Sequence, residues 1–594
     1  MKSPAKHRRR LFPWAVVVLP LLAFFLACGP GEEATPTPAA TATLVPTATP
    51  TAAPLATSTP TRPGPTATPT PTSVAAPSPT PTPGVQPKRG GVLRINGSRY
   101  PASFDQQFLA DATAYHPFLP KMYNNLMVNY EGNQIDCEIC AEWRLEDGGK
   151  TMVFKLLPGI KFHNGKEMTS ADVAYSLNMI LGQIDGIESP RCGVLKEYID
   201  AIETPGTYDL RIKLARPSVF VQKILSITSC AIYPAGTTRV DLAKGPAGSG
   251  PFVLTKAVQG ANMSYVRNTS YFKPGLPYLD GVETTFVGDA TTTVAAFLTH
   301  KTEYYSSSEI PEQVEAQLGK LVEQGKMYYR AGEGTSGEGC WMVSGKPPFS
   351  NLKLRQAVNL ALDRTAIGEI NYGNKHVQQL FFYNEGMEFA TPKEKVWDVV
   401  PGWGTGAKKQ QEIDQAKQLV KDAGHPTGID VSNIRRVSGF TTQQVVTQEE
   451  AQRELAKVGI RVKIEPVDIV AYQARLTAAE WQFNCSVYSI TTYDPDEIVG
   501  QYWTTGASRN NFAYSNPEVD KLFIQMSGEL DPVRRRALFF QIQDIIILKD
   551  VAYAPLSSKN GMLYRWDRLQ GFTIGFNLTF SNGLKREDRL WLKD

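Results

Sequence analysis

Histidine is scarce in this chain, and so are the residue patterns of the common hydrolytic and nucleotide-binding sites. Among 594 residues there are six His. No HExxH or GxSxG pattern occurs, and the Gly-rich stretch 245–250 lacks the Lys-Ser/Thr that completes a phosphate-binding loop. Carboxylates are plentiful, but no spacing singles out a catalytic pair. We therefore expect no catalytic residue, no cofactor and no enzymatic activity.

The chain also has little net charge and a single long apolar run. Its formal charge is +4, and the cations Lys2, Lys6 and Arg at 8–10 account for more than this excess, so the remainder is slightly acidic. Such a body argues against nucleic-acid binding. One apolar run, residues 11–27, excludes a polytopic membrane protein. Hydrophobic residues make up 42%, enough for the rest to fold into three or four domains or lobes.

The N-terminal segment has the form of a secretory signal. A basic run precedes the apolar stretch, whose two prolines weaken it as a permanent spanning helix. Ala27 and Cys28 then resemble the end of a bacterial lipobox, in which the Cys is acylated and becomes the new N-terminus. The two residues before Ala27 depart from that pattern, so an uncleaved anchor is the alternative. We predict a signal peptide over 1–27, a lipidated Cys28 and a body on the outer face of a bacterial cell membrane.

Residues 28–88 are predicted to form a tether. They consist largely of Thr, Pro and Ala, and 16 of the chain's 42 Pro lie here. Such a composition cannot bury enough apolar surface to offset chain entropy. A disordered, extended spacer of at most about 190 Å is expected.

Six further cysteines suggest disulfides. They are Cys137, Cys140, Cys192, Cys230, Cys340 and Cys485. In an exported chain they permit three disulfides in about 15 full pairings. The Cys-Glu-Ile-Cys motif has metal or redox spacing, but no second CxxC or His pair completes a zinc site, so a local disulfide or two core thiols is predicted. Proximity alone suggests a bond between Cys192 and Cys230.

The segment 152–180 gives the clearest local prediction in the body. Its first six residues form a strand that reaches a Pro-Gly turn at 158–159, and a second short strand ends at Asn-Gly, residues 164–165. Thr-Ser at 169–170, closely followed by Asp, is a helix-start composition. A strand is also predicted at 90–97, from its alternating pattern.

This segment resembles the family 5 solute-binding proteins of ABC importers, the oligopeptide, dipeptide and nickel group. The residues that match the family pattern are Phe154, Leu156, Gly159, Lys161, Phe162, His163, Gly165, Thr169, Asp172, Val173 and Ser176. Leu157 and Asn164 replace the family's Arg and Asp. Similar segments follow in family order at 248–254, 266–272, 346–364, 416–424, 454–465 and 514–522. Ordered similarity from 90 to 560 identifies the body as a member of this family.

The resemblance implies an α/β fold of the periplasmic-binding-protein type 2 class. Two lobes joined by a hinge, with an extra small domain in the first half, would close on a ligand held between them. Accordingly, we predict lobe I from residues 89–130, 241–335 and 561–594, the extra domain from 131–240, and lobe II from 336–560.

One departure from the family pattern bears on the ligand. In peptide-binding members the segment W-x-x-D-x-x-D/E-P lines the cleft, and its first Asp pairs with the peptide's ammonium. Here Tyr488 stands at the Trp, Thr491 at that Asp, and Asp494 is retained. A Thr hydroxyl cannot neutralise a buried ammonium. A sugar, an opine-like metabolite or a modified peptide is therefore favoured, unless the alignment is shifted by one residue or Asp494 or Asp496 takes the role.

The resemblance also suggests which side chains contact ligand. The loop after the first strand, ending at Tyr100, is one source. The cleft segment supplies Tyr488, Thr491, Thr492, Tyr493 and Asp494. Trp341 and Trp503 are candidate stacking surfaces, with core packing as the alternative for both. Trp481 is expected in the core, His163 is expected to be a hydrogen-bonded structural residue, and no metal site is predicted.

The function that the resemblance implies is capture of a peptide-like or other small polar solute outside the cytoplasm. The partners would be that ligand, the ABC permease subunits and the membrane reached through the lipid, with the protein itself a monomer. A ligand-sensing surface protein on the same fold is the alternative, since a fold alone does not fix function. A secreted enzyme is the third and least supported possibility.

Overall fold

The computed structural model describes residues 86–97, 100–101, 103–108, 121–129, 135–307, 310, 312–332, 336–373, 377–378, 381, 383, 388–392, 400–437, 442–489, 492, 494–558, 561–572 and 587–593. The predicted signal peptide and Cys28 lie outside these residues, as does the predicted tether up to residue 85.

The strands of the described part are β1 (Val92–Gly97), β2 (Met127–Asn129), β3 (Ile135–Cys137), β4 (Cys140–Glu146), β5 (Thr151–Leu156), β6 (Ile199–Gly206), β7 (Asp209–Leu214), β8 (Phe252–Val258), β9 (Asn262–Arg267), β10 (Gly281–Phe286), β11 (Tyr304–Ser307), β12 (Met327–Gly332), β13 (Ser336–Met342), β14 (Val377–Gln378), β15 (Ile429–Arg436), β16 (Ile460–Val467), β17 (Phe483–Ser489), β18 (Tyr553–Pro555), β19 (Ser557–Ser558), β20 (Gly561–Trp566), β21 (Leu569–Gln570) and β22 (Trp591–Leu592).

The α-helices are α1 (Ser170–Ile180), α2 (Phe220–Leu225), α3 (Arg239–Lys244), α4 (Ala290–Leu298), α5 (Glu312–Glu323), α6 (Leu352–Ala361), α7 (Arg364–Tyr372), α8 (Gly406–Asp422), α9 (Thr442–Ala456), α10 (Ile469–Thr477), α11 (Pro495–Ile498), α12 (Pro517–Gly528) and α13 (Pro532–Asp544). No helix in the described ranges is long and apolar enough to cross a membrane.

The first sheet has the order β1-β10-β9-β8, with β1 parallel to β10. The strand predicted at 90–97 is therefore confirmed, and its buried residues Leu93 and Ile95 enter the core beneath this sheet. Steric crowding explains why glycine begins the Gly-Ser-Gly stretch before β8. A Cβ on Gly248 would lie 1.7 Å from the backbone oxygen of Met122, so this close approach of two chain segments requires glycine.

The second sheet is antiparallel, in the order β4-β5-β7-β6, and α1 packs beside it. The strand, the Pro-Gly turn and the helix predicted within 152–180 are confirmed by β5 and α1, whereas the predicted second strand is reduced to a single bridge between Lys161 and Glu167. The helix begins as predicted, because the Asp172 carboxylate accepts from the backbone N–H of Thr169 at 2.8 Å. His163 is structural, as expected: its Nε2 donates to the Gly250 carbonyl at 3.0 Å. Burial lowers the pKa of His163.

The third sheet places β13 between β17 and β18. Beside it, β15 follows α8 and pairs in parallel with β16, which follows α9, so the family-like segments 416–424 and 454–465 each contain a helix end that leads into a strand. The helix α6 buries an apolar stripe formed by Leu354, Ala357, Leu360 and Ala361. A fourth sheet has β20 between β11 and β12.

All six body cysteines pair. The bonds join Cys137 to Cys140, Cys192 to Cys230, and Cys340 to Cys485. The local disulfide and the proximity pairing are both confirmed. The third bond, which the sequence did not single out, joins directly opposed residues of β13 and β17. It ties together the two strands that carry much of the candidate site.

Candidate functional site

A cavity of about 530 Å³ opens beside β13 and β17. Its lining comes from the end of β13, alternate residues of β17, the helix α10, the segment 502–512 and one residue of the predicted extra domain, Arg191. A pocket of this size, lined by rings and a few polar groups, is typical of small-molecule sites.

Aromatic rings form much of the wall. The lining rings are Trp341, Tyr472, Trp481, Tyr502 and Phe512. The Trp341 ring is stacked on that of Tyr502, with centroids 5.8 Å apart, and lies 5.1 Å from that of Phe512. Because packing holds Trp341 on several sides, its ring offers a rigid face to a ligand.

Neutral polar groups supply the second part of the lining. They are Gln473, Thr477, Asn484, Ser486, Ser508 and Asn511. Asn484 and Ser486 are two residues apart on β17, whereas Phe483 and Cys485 enter the core on the other face. The side-chain amide of Asn484 donates to the Ile434 carbonyl at 3.0 Å and accepts from Gln448 at 3.1 Å, which fixes its orientation.

The charged groups among the described lining residues are two arginines, Arg191 and Arg509, with no Asp or Glu beside them. The Nη1 of Arg509 donates to the Tyr502 hydroxyl at 3.1 Å, and its guanidinium lies 5.6 Å from the centre of that ring. Interaction with Tyr502, and secondarily with Glu497, raises the pKa of Arg509. The guanidinium is therefore charged at any physiological pH.

A second buried charge cluster contains Asp494, Asp496, Arg535 and Lys223. Arg535 binds both oxygens of Asp494 and also donates to Asp496 at 2.5 Å. Lys223, from α2 of the predicted extra domain, lies 2.9 Å from Asp494. Ser527 and Tyr198 donate to the second oxygen of Asp496, at 2.5 and 3.3 Å. Every carboxylate oxygen in this cluster therefore has a donor.

The two carboxyl groups respond differently to burial. Burial alone would raise both pKa values. For Asp494, Arg535 and Lys223 outweigh that effect and hold the pKa well below its usual range. For Asp496, burial dominates over the attraction of Arg535, and with repulsion by the Asp494 carboxylate the pKa is raised. Asp494 is thus a carboxylate that already has two cations.

The retained Asp-Pro pair also has a local structural role. Asp494 caps α11: its Oδ1 accepts from the backbone N–H of Asp496 at 3.0 Å, and Pro495 occupies the first turn. Asn516 and Asp531 start α12 and α13 in the same way, each followed by Pro. A helix start therefore accounts for this pair without a ligand.

The predicted site residues are only partly brought together. Trp341 lines the cavity; Trp481 is core, as expected, and lines it as well. Trp503 is fully buried, so it packs in the core, which was the alternative predicted for it. Its neighbour is Trp341 itself, with ring centroids 5.7 Å apart. Thr492 is buried and donates its hydroxyl to Glu497 at 2.8 Å.

The remaining predicted residues lie elsewhere or are not described. Tyr100 packs edge-on against Phe286, 5.2 Å away, at the margin of the first-sheet core. Tyr488 lies on β17, two residues beyond Ser486. Thr491 and Tyr493 lie outside the described residues.

Sequence reasoning missed Arg191, Arg509, Tyr472 and Tyr502. None belongs to a motif. Arg191 precedes the disulfide residue Cys192, and Arg509 lies in the loop before α12. Only the fold places them around one cavity.

A second concavity is larger, about 750 Å³, but differs in chemistry. It is lined by residues of β15, α9 and β16, and none of its described lining residues is aromatic. Two of its arginines pair with carboxylates of the same lining: Arg435 lies 3.0 Å from Glu449, and Arg461 contacts Asp430. Within the described part of the chain, no cluster of three or more metal-ligating side chains occurs. The smaller, aromatic cavity is therefore the better candidate site.

Comparison with known proteins defines the class. Residues 135–510, more than half of the chain, match the model of the bacterial extracellular solute-binding proteins, family 5 (middle). The chain belongs to this family, and its function is that of a substrate-binding receptor.

Relatives with known names support the assignment. The oligopeptide-binding protein AppA of Bacillus subtilis is 25% identical over 514 residues, which cover 82% of this chain and 90% of the relative. The heme-binding protein A of Haemophilus influenzae is 23% identical over 506 residues, or 78% of this chain and 88% of the relative.

Solved structures show the same fold. The periplasmic binding protein DppA of Helicobacter pylori, in complex with a peptide, has a TM-score of 0.70 at 21% identity and covers 85% of this chain and 99% of its own. AgaA of A. tumefaciens R10, in complex with agropinic acid, has a TM-score of 0.70 at 22% identity, with coverage of 85% and 99%. The predicted type 2 binding-protein fold is confirmed.

Proposed function

We propose that this receptor holds a small polar solute in the cavity beside Trp341 and delivers it to an ABC permease. The observation that carries the proposal is the lining itself. Rigid aromatic rings, oriented amides and hydroxyls, and two arginines converge on about 530 Å³. Such a lining provides stacking faces and orienting hydrogen bonds, which is the chemistry of a solute site.

Closure of two lobes would complete the site. The separate apolar cores support lobes of the predicted extent, because one core gathers residues between 93 and 592 around the first sheet, and others lie within 340–556. Arg191 meets the cavity from the predicted extra domain, whereas the rest of its lining comes from predicted lobe II. A solute that touches both sides favours the closed state by its differential affinity.

Anchoring by a lipid on Cys28 would keep the receptor beside its permease. The lipobox-like Ala27-Cys28 pair and the Thr/Pro-rich composition of residues 28–88 support this. The tether would allow the lobes to sample the space above the membrane. We further propose that the protein acts as a monomer and releases its solute chemically unchanged.

The test is a thermal-shift panel on the purified full chain, with peptides, sugars, opines and metal chelates. A solute at 100 times its Kd should stabilise the protein by about 2.7 kcal/mol. Trp341→Ala should abolish the shift, because it removes the stacking face. Trp143→Ala is the matched control, since Trp143 packs on Phe154 in the second sheet, 6.2 Å between centroids, away from the cavity.

Two results would contradict the proposed site. One is a ligand-induced shift that survives in Trp341→Ala. The other is chemical conversion of the solute during incubation, which would indicate an enzyme. Ala substitutions of Tyr488, Thr491 and Tyr493 remain predicted to weaken binding with little change in melting temperature.

A further inference from the structure

The charges around the cavity indicate which solutes it accepts, an inference that rests on the proposed function. The described lining offers two guanidiniums and no carboxylate. A third guanidinium, that of Arg436, lies 5.6 Å from the ring centre of the lining residue Tyr472. An anionic group that enters the cavity would therefore meet charged donors among the described lining residues.

The acidic residues near the cavity already have partners within the protein, and one of them, Glu497, also attracts Arg509. Asp494 and Asp496 bind Arg535, and Asp494 also binds Lys223. Glu497 is buried and accepts from the backbone N–H and the hydroxyl of Thr492, at 2.6 and 2.8 Å. A solute ammonium buried in the cavity would lack a carboxylate partner among the described lining residues, and an unpaired buried charge costs several kcal/mol.

Geometry favours a carboxylate that stands next to a flat apolar group. Arg509 is held against Tyr502, and Tyr502 stacks on Trp341, so a guanidinium and an aromatic face lie side by side. Guanidinium forms strong, charge-assisted bonds to carboxylate oxygens. We propose that the cavity selects a solute that carries a carboxylate and a ring or other flat face, and that it rejects solutes whose charge is a free ammonium.

The test uses three probes of one skeleton on the full chain: 3-phenylpropionate, 3-phenylpropanol and 3-phenylpropylammonium. Binding is measured by isothermal titration and by the quenching of tryptophan fluorescence at about 10 mM probe, where millimolar affinity registers. We expect the acid to bind more tightly than the alcohol, and the ammonium not to bind. In Arg509→Gln and in Arg191→Gln the acid should bind at least about ten-fold more weakly, with the alcohol unchanged.

Arg461→Gln is the matched control, because Arg461 pairs with Asp430 in the second concavity, which has no lining residue in common with the candidate site. It should leave all three probes as in the wild type. Equal or tighter binding of the ammonium would overturn the inference, and so would acid binding that is unchanged in both arginine variants.

The failures of the two proposals are distinguishable. If a panel solute binds in a manner that requires Trp341 while none of the three probes binds, the charge inference fails and the proposed function stands. If no solute depends on Trp341, the site itself is misplaced and the charge inference fails with it.

Discussion

Two clusters of arginine near the candidate site differ in what surrounds the positive charge. Arg535 is enclosed by Asp494 and Asp496 in a region where each carboxylate oxygen has a donor. Arg509 points to a cavity whose described lining carries no carboxylate. The first cluster is complete as it stands, since burial of charge requires such partners. The second lies beside a cavity of about 530 Å³, where the proposed solute would supply the anionic group.

The comparison explains a misleading feature of the sequence. The family's Asp-Pro pair suggests a ligand contact, yet Asp494 caps a helix and is neutralised by two cations. Arg191 and Arg509, which belong to no motif, line the cavity instead. Membership of a family motif therefore does not by itself identify a ligand-binding residue here.

The largest expected effect on stability comes from removing Arg535 from the buried cluster that it forms with Asp494 and Asp496. Arg535→Gln leaves two buried carboxylates without their main cation and should lower the free energy of unfolding by about 3–5 kcal/mol. Denaturant unfolding measures it. The neighbouring Arg534→Gln is the control, because Arg534 is exposed and its partner Glu529 is a surface residue. Equal stability of the two variants would contradict the structural role of the cluster.

A smaller effect is expected at Lys223, the second cation of Asp494. Lys223→Met should cost about 1–3 kcal/mol, because Arg535 remains. The lowered pKa of Asp494 stabilises the fold above its unfolded value of about 3.9, and this contribution is lost as the pH falls. Without Lys223 that pKa rises toward its unfolded value, so the variant should lose less stability than the wild type as the pH falls, and the gap between the two proteins should narrow. Unfolding free energies measured from about pH 7 to pH 3 test this; identical profiles would contradict it.

Arg509→Gln should have a small effect on stability and a large effect on binding. The Tyr502 hydroxyl that accepts from Arg509 is neutral and exchanges one hydrogen bond for another. The variant should therefore lose only about 1 kcal/mol of folding free energy. The preference for the carboxylate probe over the alcohol should nonetheless disappear. A variant that unfolds like Arg535→Gln but keeps this preference would reverse the two roles.

The smallest expected effect on stability concerns His163, a partly buried side chain. Burial lowers the pKa of His163, so its stabilising neutral form is fully present above the unfolded value of about 6.5 and stability falls as the pH drops through it. His163→Gln should flatten the pH dependence of stability between about pH 7 and pH 5. Denaturant midpoints at the two pH values measure it. A slope unchanged from the wild type would mean that His163 is not its source.

Much of the fold could be predicted from the sequence, because local rules determine it. The capped start of α1 at Thr169 and the alternation in β1 depend on neighbouring residues, and the family pattern supplies the architecture. The site was predicted only in part. Trp341 was identified as a candidate surface, but Arg509 and Tyr472 come together through packing between distant segments, for which one sequence carries no signal.

The most direct test of the central claim is a crystal structure of the full chain with a bound solute from the panel. The account predicts the solute beside Trp341, with its carboxylate about 2.7–2.9 Å from the guanidinium of Arg509 or Arg191. A solute bound elsewhere, or one in the cavity whose ammonium pairs with an acidic side chain, would contradict it.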